Sequence, residues 1–128
     1  MPSFDPATTS YVCLETYRKT GVGVATPVWV ATLDTRHYVF SESRAGKVKR
    51  LRNNPRVKIA ACNFSGNVSS EWLAGQVRIV TEPALVRRVY AEFIKKYGWQ
   101  IRLTNVLSRL SGRYHQRAML EISLDADT

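Results

Sequence analysis

The residues best suited to chemistry lie in one short segment with the sequence SESRAGK. It joins a predicted strand to a predicted helix, and a helix N-terminus offers free N–H groups and partial positive charge to a phosphate. Ser41 and Ser43 add hydroxyl donors, and Gly46 permits close approach. Lys47 and Arg50 lie about one helical turn apart. The segment therefore predicts a phosphate-binding site, with a solvated basic turn as the alternative.

The rest of the sequence offers no side-chain nucleophile and no metal-binding cluster. There is no HExxH or GxSxG motif and no P-loop, and the scattered acidic residues argue against a paired-carboxylate hydrolase. His37 and His115 lack the spacing of metal ligands, and neither Cys13 nor Cys62 belongs to a CxxC pair. We therefore predict no catalytic side chain, no metal site and two buried free thiols.

The charge balance indicates an anionic ligand. The chain of 128 residues carries 19 basic and 10 acidic side chains, a net charge of +9, and the bases are densest in residues 41–58. A second basic group, Arg102, Arg109, Arg113 and Arg117, can be a solvated face. Such an excess attracts a phosphate-bearing cofactor or nucleic acid. A basic barrel that binds nucleic acid remains an alternative, although it does not explain the serines and glycine at the helix start.

The length and the 45% hydrophobic content predict one domain over residues 1–128. No apolar run reaches the roughly 18 residues of a membrane helix, and the first residues do not resemble a signal peptide. We therefore expect a cytoplasmic protein with no membrane association.

The elements that must position the basic segment form a small antiparallel barrel. Pro27 cannot donate to a ladder, so it marks an edge, a bulge or an interruption that we expect to leave backbone groups free for a ligand. Gly75 indicates a bulge or a close approach. The patterns predict strands at residues 11–17, 22–33, 37–41, 56–64, 71–81 and 113–124, and helices at 46–54, from 82–83 to a stop at 98, and at 101–110.

The helix that begins near residue 83 is amphipathic and is expected to pack against the barrel. Its apolar residues follow helical spacing, and its charged residues predict an ordinary solvated face. The first set is Val86, Val89, Tyr90, Phe93, Ile94 and Tyr97, and the second is Glu82, Arg87, Arg88, Glu92, Lys95 and Lys96.

Three stretches carry a family resemblance: TPVWVA from Thr26, YVFSESRAGKVKRLRNNPRV from Tyr38, and EWLAGQVRIV from Glu71. Together they resemble the pyridoxamine 5′-phosphate oxidase-like superfamily, and within it the actinobacterial flavin/deazaflavin oxidoreductases that use the cofactor F420. The resemblance implies a mainly β chain, a split β-barrel of the FMN-binding type with one short basic helix and one or two later helices. It also implies a homodimer with the cofactor at the subunit interface.

The resemblance further implies two groups of cofactor-binding residues. One would hold the cofactor phosphate, and the other would run along the isoalloxazine-type ring, largely through backbone contacts. By position the phosphate group is Ser41, Ser43, Gly46, Lys47 and Arg50, and the ring group is Thr26, Pro27, Val28 and Trp29. Trp72 is a further candidate, from an adjacent strand or from the neighbouring subunit, with a barrel or interface aromatic as the alternative.

The function that this resemblance implies is hydride transfer between F420 and a small organic substrate, with the chemistry supplied by the cofactor. The acidic tail of F420 would suit Arg18, Lys19 and Arg44. Thr26 stands where pyridoxamine phosphate oxidases have an arginine, which argues against vitamin B6 synthesis. An FMN oxidoreductase and a non-catalytic carrier of F420, flavin or haem remain alternatives.

Overall fold

A computed structural model describes residues 4–42, 46–98 and 117–125 of the chain. Within these residues the structure is mainly β, as the sequence predicts. The elements are β1 (Tyr11–Tyr17), β2 (Gly23–Val28), β3 (Ala31–Leu33), β4 (Arg36–Glu42), α1 (Gly46–Asn53), β5 (Arg56–Cys62), β6 (Leu73–Val80), α2 (Pro83–Tyr97) and β7 (Arg117–Leu124).

The described strands form one antiparallel sheet in the order β2-β1-β5-β6-β7-β4-β3. Strands β2 and β3 lie at opposite ends of this order, yet only Trp29 and Val30 separate them in the chain. The sheet must therefore curl until its two edges meet, since the three Cα–Cα steps from Val28 to Ala31 span at most about 11 Å. No ladder joins β2 to β3 among the described strands, so the result is a split β-barrel.

The prediction of one strand over residues 22–33 is wrong, because the chain passes from β2 to β3 there, at the seam where the two edges of the sheet meet. This segment is two strands, and the break comes after Val28 rather than at Pro27. Pro27 pairs with Cys13 on the edge strand β2, which tolerates a residue without an N–H. Of the three interpretations of Pro27 (an edge, a bulge or an interruption), the structure confirms the edge position.

Two apolar clusters hold the fold together. The interior of the barrel is filled by side chains from the strands and from α1, whose Val48 and Leu51 are buried there. Helix α2 covers the outer face, and its Val89 and Phe93 are fully buried. Ile94, predicted on the same apolar face, is 37% exposed. Because Val48 and Leu51 pack into the barrel interior, they fix the position of α1 after the end of β4.

Several local predictions are confirmed. Gly75 marks a close approach, because a Cβ at this position would lie 2.5 Å from the carbonyl oxygen of Ser123. Gly98 ends α2 with a φ of 59° and donates its N–H to the carbonyl of Ile94. The helix predicted over residues 101–110 and the start of the last predicted strand lie outside the described residues.

Candidate functional site

The seam between β2 and β3 is closed by side chains of α2. The N–H of Val30 donates to the hydroxyl oxygen of Tyr97 at 3.0 Å, and the carbonyl of Val30 accepts from Lys96 Nζ at 2.8 Å. Val30 is fully buried. The sequence predicted free backbone groups for a ligand at this interruption. That prediction is wrong at Val30, because the helix satisfies both groups.

Lys96 connects three separate parts of the chain. Its Nζ donates to the carbonyls of Pro6, Thr9 and Val30 at 3.1, 2.7 and 2.8 Å, so all three ammonium hydrogens have acceptors. Burial lowers the pKa of Lys96 to about 8, with Asp5 opposing the shift. The side chain therefore fixes the first described residues and the seam to the end of α2.

The solvated face predicted for α2 is corrected at this lysine. Val89, Phe93 and Lys96 are spaced i, i+4 and i+7, which places the lysine on the packed side of the helix. The same spacing was available in the sequence. Hydropathy places a lysine on the solvated face, but a lysine whose ammonium group has enough carbonyl acceptors can be partly buried.

The predicted ring-binding residues lie along the edge strand and the seam. Three of them, Thr26, Pro27 and Val28, are half-buried on β2. Among the described strands, β2 pairs with β1 on one side and is an edge on the other. Trp29 follows them, and its indole stacks on the ring of Tyr97, with centroids 4.6 Å apart and an interplanar angle of 14°. Burial raises the pKa of Tyr97 to about 12, so its phenol stays protonated. One face of the Trp29 ring is thus covered by the helix.

The predicted phosphate-binding residues lie at the junction of β4 and α1. Ser41 is opposite Ala118 in the ladder near the end of β4, and Gly46 and Lys47 begin α1. Ser43 and Arg44 lie outside the described residues. The first turn of α1 contains no acidic residue, which leaves the electrostatic environment of this helix end favourable for an anion.

Arg50 links this helix to the other predicted group. Its Nε donates to the hydroxyl of Thr16 at 2.7 Å, and Thr16 is fully buried on β1. Thr16 pairs with Val24 of β2, and Thr26 is two residues further along that strand. The structure therefore brings Arg50 to within one strand of the edge that carries the predicted ring-binding residues.

Trp72 is not brought to the same place within one chain. The ladder runs from Leu73 on β6 through Ile59 and Leu14 to Thr26 on β2. Three strand spacings separate the two outer strands, roughly 14 Å. Strand β6, which begins directly after Trp72, is therefore not adjacent to β2, and a contribution of Trp72 to the ring from a neighbouring subunit stays a prediction. Its side chain is 37% exposed.

Within the described residues, the histidine is buried and the two cysteines are free thiols. Nδ1 of His37 lies 2.8 Å from the hydroxyl of Thr32, and the histidine is only 6% exposed. Cys13 is a buried free thiol, as predicted, whereas the free thiol of Cys62 is only half-buried. Burial and the neighbouring Cys13 raise the pKa of Cys62 to about 12. Among residues 4–42, 46–98 and 117–125, no His, Cys, Asp or Glu cluster could hold a metal ion.

In the described part of the chain, no helix has the length and apolar character needed to cross a membrane.

The curled sheet, the short helix after β4 and the helix over the outer face define the class of split β-barrel proteins. Residues 7–126 match the family model described as pyridoxamine 5′-phosphate oxidase. The chain belongs to this family. No curated protein matches the chain.

Solved structures share this fold at low sequence identity. A conserved hypothetical protein from Mycobacterium tuberculosis is 19% identical with a TM-score of 0.70, over 93% of this chain and 75% of that chain. HutZ, a haem storage protein from Vibrio cholerae, is 13% identical with a TM-score of 0.70, over 94% and 84% respectively. General stress protein 26 from Bacillus anthracis is 15% identical with a TM-score of 0.61, over 91% and 81%.

Proposed function

We propose that this chain is an F420-dependent oxidoreductase, which transfers a hydride between the deazaflavin and a small organic substrate. The cofactor supplies the hydride chemistry. The protein binds the phosphate at the start of α1 with Ser41, Ser43, Gly46, Lys47 and Arg50. Arg18, Lys19 and Arg44 attract the acidic tail. The ring lies along the edge strand at Thr26, Pro27, Val28 and Trp29.

The observation that carries this proposal is the placement of α1. The helix follows β4 after three residues, has no acidic residue in its first turn, and is held by the buried Val48 and Leu51. A helix end that packing holds in place can bind an anion without paying for its own ordering. Arg50 adds a guanidinium, whose Nε is already oriented by Thr16.

The choice of F420 over FMN rests on charge. Both cofactors carry a ring system and a phosphate, but the tail of F420 adds carboxylates. The basic residues of α1 that the structure describes outside the proposed site, Lys49 and Arg52, are exposed and could meet such a tail. An FMN oxidoreductase of the same fold is the closest alternative.

A non-catalytic carrier is the second candidate, and one observation favours it. The similar structures include a haem storage protein, HutZ. Haem iron is often held by a histidine, and His37, the histidine within the described residues, is buried with its Nδ1 2.8 Å from the hydroxyl of Thr32. His115 lies outside the described residues, so a haem titration tests this candidate directly.

The proposed assembly is a homodimer with the cofactor at the interface. It is supported by Trp72, whose side chain is 37% exposed and which directly precedes β6, a strand that is not adjacent to β2. A partner subunit could bring its Trp72 to the ring that lies on β2. The oligomeric state by light scattering, with and without cofactor, tests this part.

The experiment that tests the function is a fluorescence titration of the purified chain with F420, FMN and haem at physiological salt. Tight binding of F420 with weak binding of the other two supports the proposal. Turnover of reduced F420 with quinone-like acceptors then separates an enzyme from a carrier. Preference for FMN or haem moves the chain to that alternative. If F420, FMN and haem all fail to bind, the cofactor-site proposal is overturned and the hypothesis of a nucleic-acid-binding barrel is favoured. A titration with nucleic acid at several salt concentrations would test that hypothesis.

A further inference from the structure

A second pocket lies on the opposite side of the sheet from the barrel interior. It has a volume of about 350 Å³ and lies between the outer face of the sheet and the first half of α2. Its apolar walls include Phe40 from β4, Val80 from β6, Met119 from β7 and Val86 from α2. The volume is within the range of small-molecule sites.

One polar group in this pocket has no hydrogen-bond partner among the described residues. The hydroxyl oxygen of Tyr90 is buried, and it makes no hydrogen bond within residues 4–42, 46–98 and 117–125. Its counterpart on the same helix, Tyr97, bonds to the backbone of Ser10 and Val30. A buried hydroxyl without a partner destabilises the folded state. A ligand that offers an acceptor to Tyr90 would remove that cost.

A positive charge stands beside this hydroxyl. Arg87 also lines the pocket, and it forms no ion pair in the part of the chain that the structure describes. The next residue, Arg88, points away and pairs with Asp34 at 3.3 Å. Arg87 and Tyr90 are spaced i, i+3 on one helix, so their side chains share a face. Both can donate to the same acceptor.

We propose that this pocket binds a small aromatic carboxylate. The aromatic ring packs between Phe40, Val86 and Met119, and the carboxylate accepts hydrogen bonds from Arg87 and Tyr90. The class follows from the site: apolar walls select a ring, and two donors on one helix face select an anion. A planar anion of one or two fused rings fits the volume.

This site is independent of the proposed cofactor site. The two share no residue: the carboxylate pocket lies on the outer face of the sheet under α2, whereas α1, which begins at the proposed phosphate site, packs into the barrel interior. Loss of one site should therefore leave the other intact. Failure of F420 to bind would not bear on the carboxylate pocket.

The test uses the full chain and naphthoate as the probe, with the uncharged naphthylmethanol as its matched ligand. Calorimetry should show one naphthoate per chain and at least tenfold weaker binding of the alcohol. Arg87→Gln should weaken naphthoate binding about tenfold and leave the alcohol unchanged. Arg88→Gln, the neighbouring control, should change neither. No naphthoate binding, or equal losses from Arg87→Gln and Arg88→Gln, would overturn the proposal.

A second variant tests the hydroxyl itself. Tyr90→Phe should keep or raise the melting temperature of the unliganded protein, since the removed group has no partner, and should weaken naphthoate binding several-fold. A lowered melting temperature would mean that the hydroxyl is already bonded in the folded chain, which contradicts the proposal. F420 binding by the same variants should match the wild type, which keeps the two sites distinguishable.

Discussion

The hydroxyl of Tyr97 accepts the N–H of Val30 at 3.0 Å, at the point where the two edges of the sheet meet. Val30 is the second of the two residues between β2 and β3, and its backbone pairs with none of the described strands. The helix therefore supplies what a ladder would supply in a closed barrel. Tyr97 also bonds to the carbonyl of Ser10 at 2.7 Å, which ties the seam to the start of β1.

Removal of this hydroxyl should destabilise the protein. Tyr97→Phe leaves the buried N–H of Val30 without a partner, and we expect a loss of about 1–3 kcal/mol in the free energy of unfolding. Urea denaturation measures it. Tyr90→Phe is the control on the same helix, because its hydroxyl has no partner among the described residues. Equal stabilities of the two variants would contradict the role given to Tyr97.

Lys96 should make stability depend on pH in the alkaline range. Its pKa is about 8 in the folded chain and 10.5 as the ordinary value. Between these values the unfolded chain holds a proton that the folded chain has released, so the contribution of Lys96 to stability rises with pH. Below pH 8 both states are protonated, and this contribution is constant.

The measurement is the free energy of unfolding of the wild type minus that of Lys96→Met, followed from below pH 8 to 10.5. The difference should grow in favour of the wild type as the pH rises. Lys95→Met is the control, because Lys95 is exposed and pairs only with Glu92 among the described residues. A flat difference would mean that the pKa of Lys96 is not lowered by folding.

A methyl group at Gly75 should strain the sheet. The added Cβ would lie 2.5 Å from the carbonyl oxygen of Ser123 and 3.2 Å from the Cα of Leu124, both backbone atoms of β7. We expect Gly75→Ala to lower the free energy of unfolding by about 1–3 kcal/mol. Thermal unfolding would report the loss. Gly23→Ala, whose Cβ meets only the movable side chain of Glu15, should cost less, and the reverse order would be inconsistent with this packing.

Lys47→Ala should weaken binding of F420 if the phosphate lies at the start of α1. Loss of a charge-assisted hydrogen bond is worth on the order of 1.5–3 kcal/mol, which is roughly a tenfold to hundredfold rise in Kd. Folding should be nearly unaffected, as circular dichroism would check. Lys95→Ala, which removes an exposed lysine on α2 outside the proposed cofactor site, is the control. Binding by Lys47→Ala at the wild-type level would place the phosphate elsewhere.

Most of the strands could be predicted from the sequence because alternation and turn residues are local signals. The predicted strand at 11–17 coincides with β1, and Gly46–Asn53 differs from the predicted helix by one residue. The continuous run over residues 22–33 was misread, since hydropathy does not show where a ladder loses its partner. Lys96 was misread for a related reason: its three acceptors come from residues far away in the chain.

The candidate site divides in the same way. The sequence by itself determined the basic helix after β4 and the family, because each depends on residues close together in the chain. Only the tertiary structure decided that Pro27 lies on an edge strand and that β6, which follows Trp72, lies three strands from β2. The structure also decided that Arg50 reaches Thr16 and that α2 closes the seam at Val30. These relationships depend on how the sheet curls. Pairing across the sheet joins residues that are distant in the sequence, and no local pattern encodes their distances.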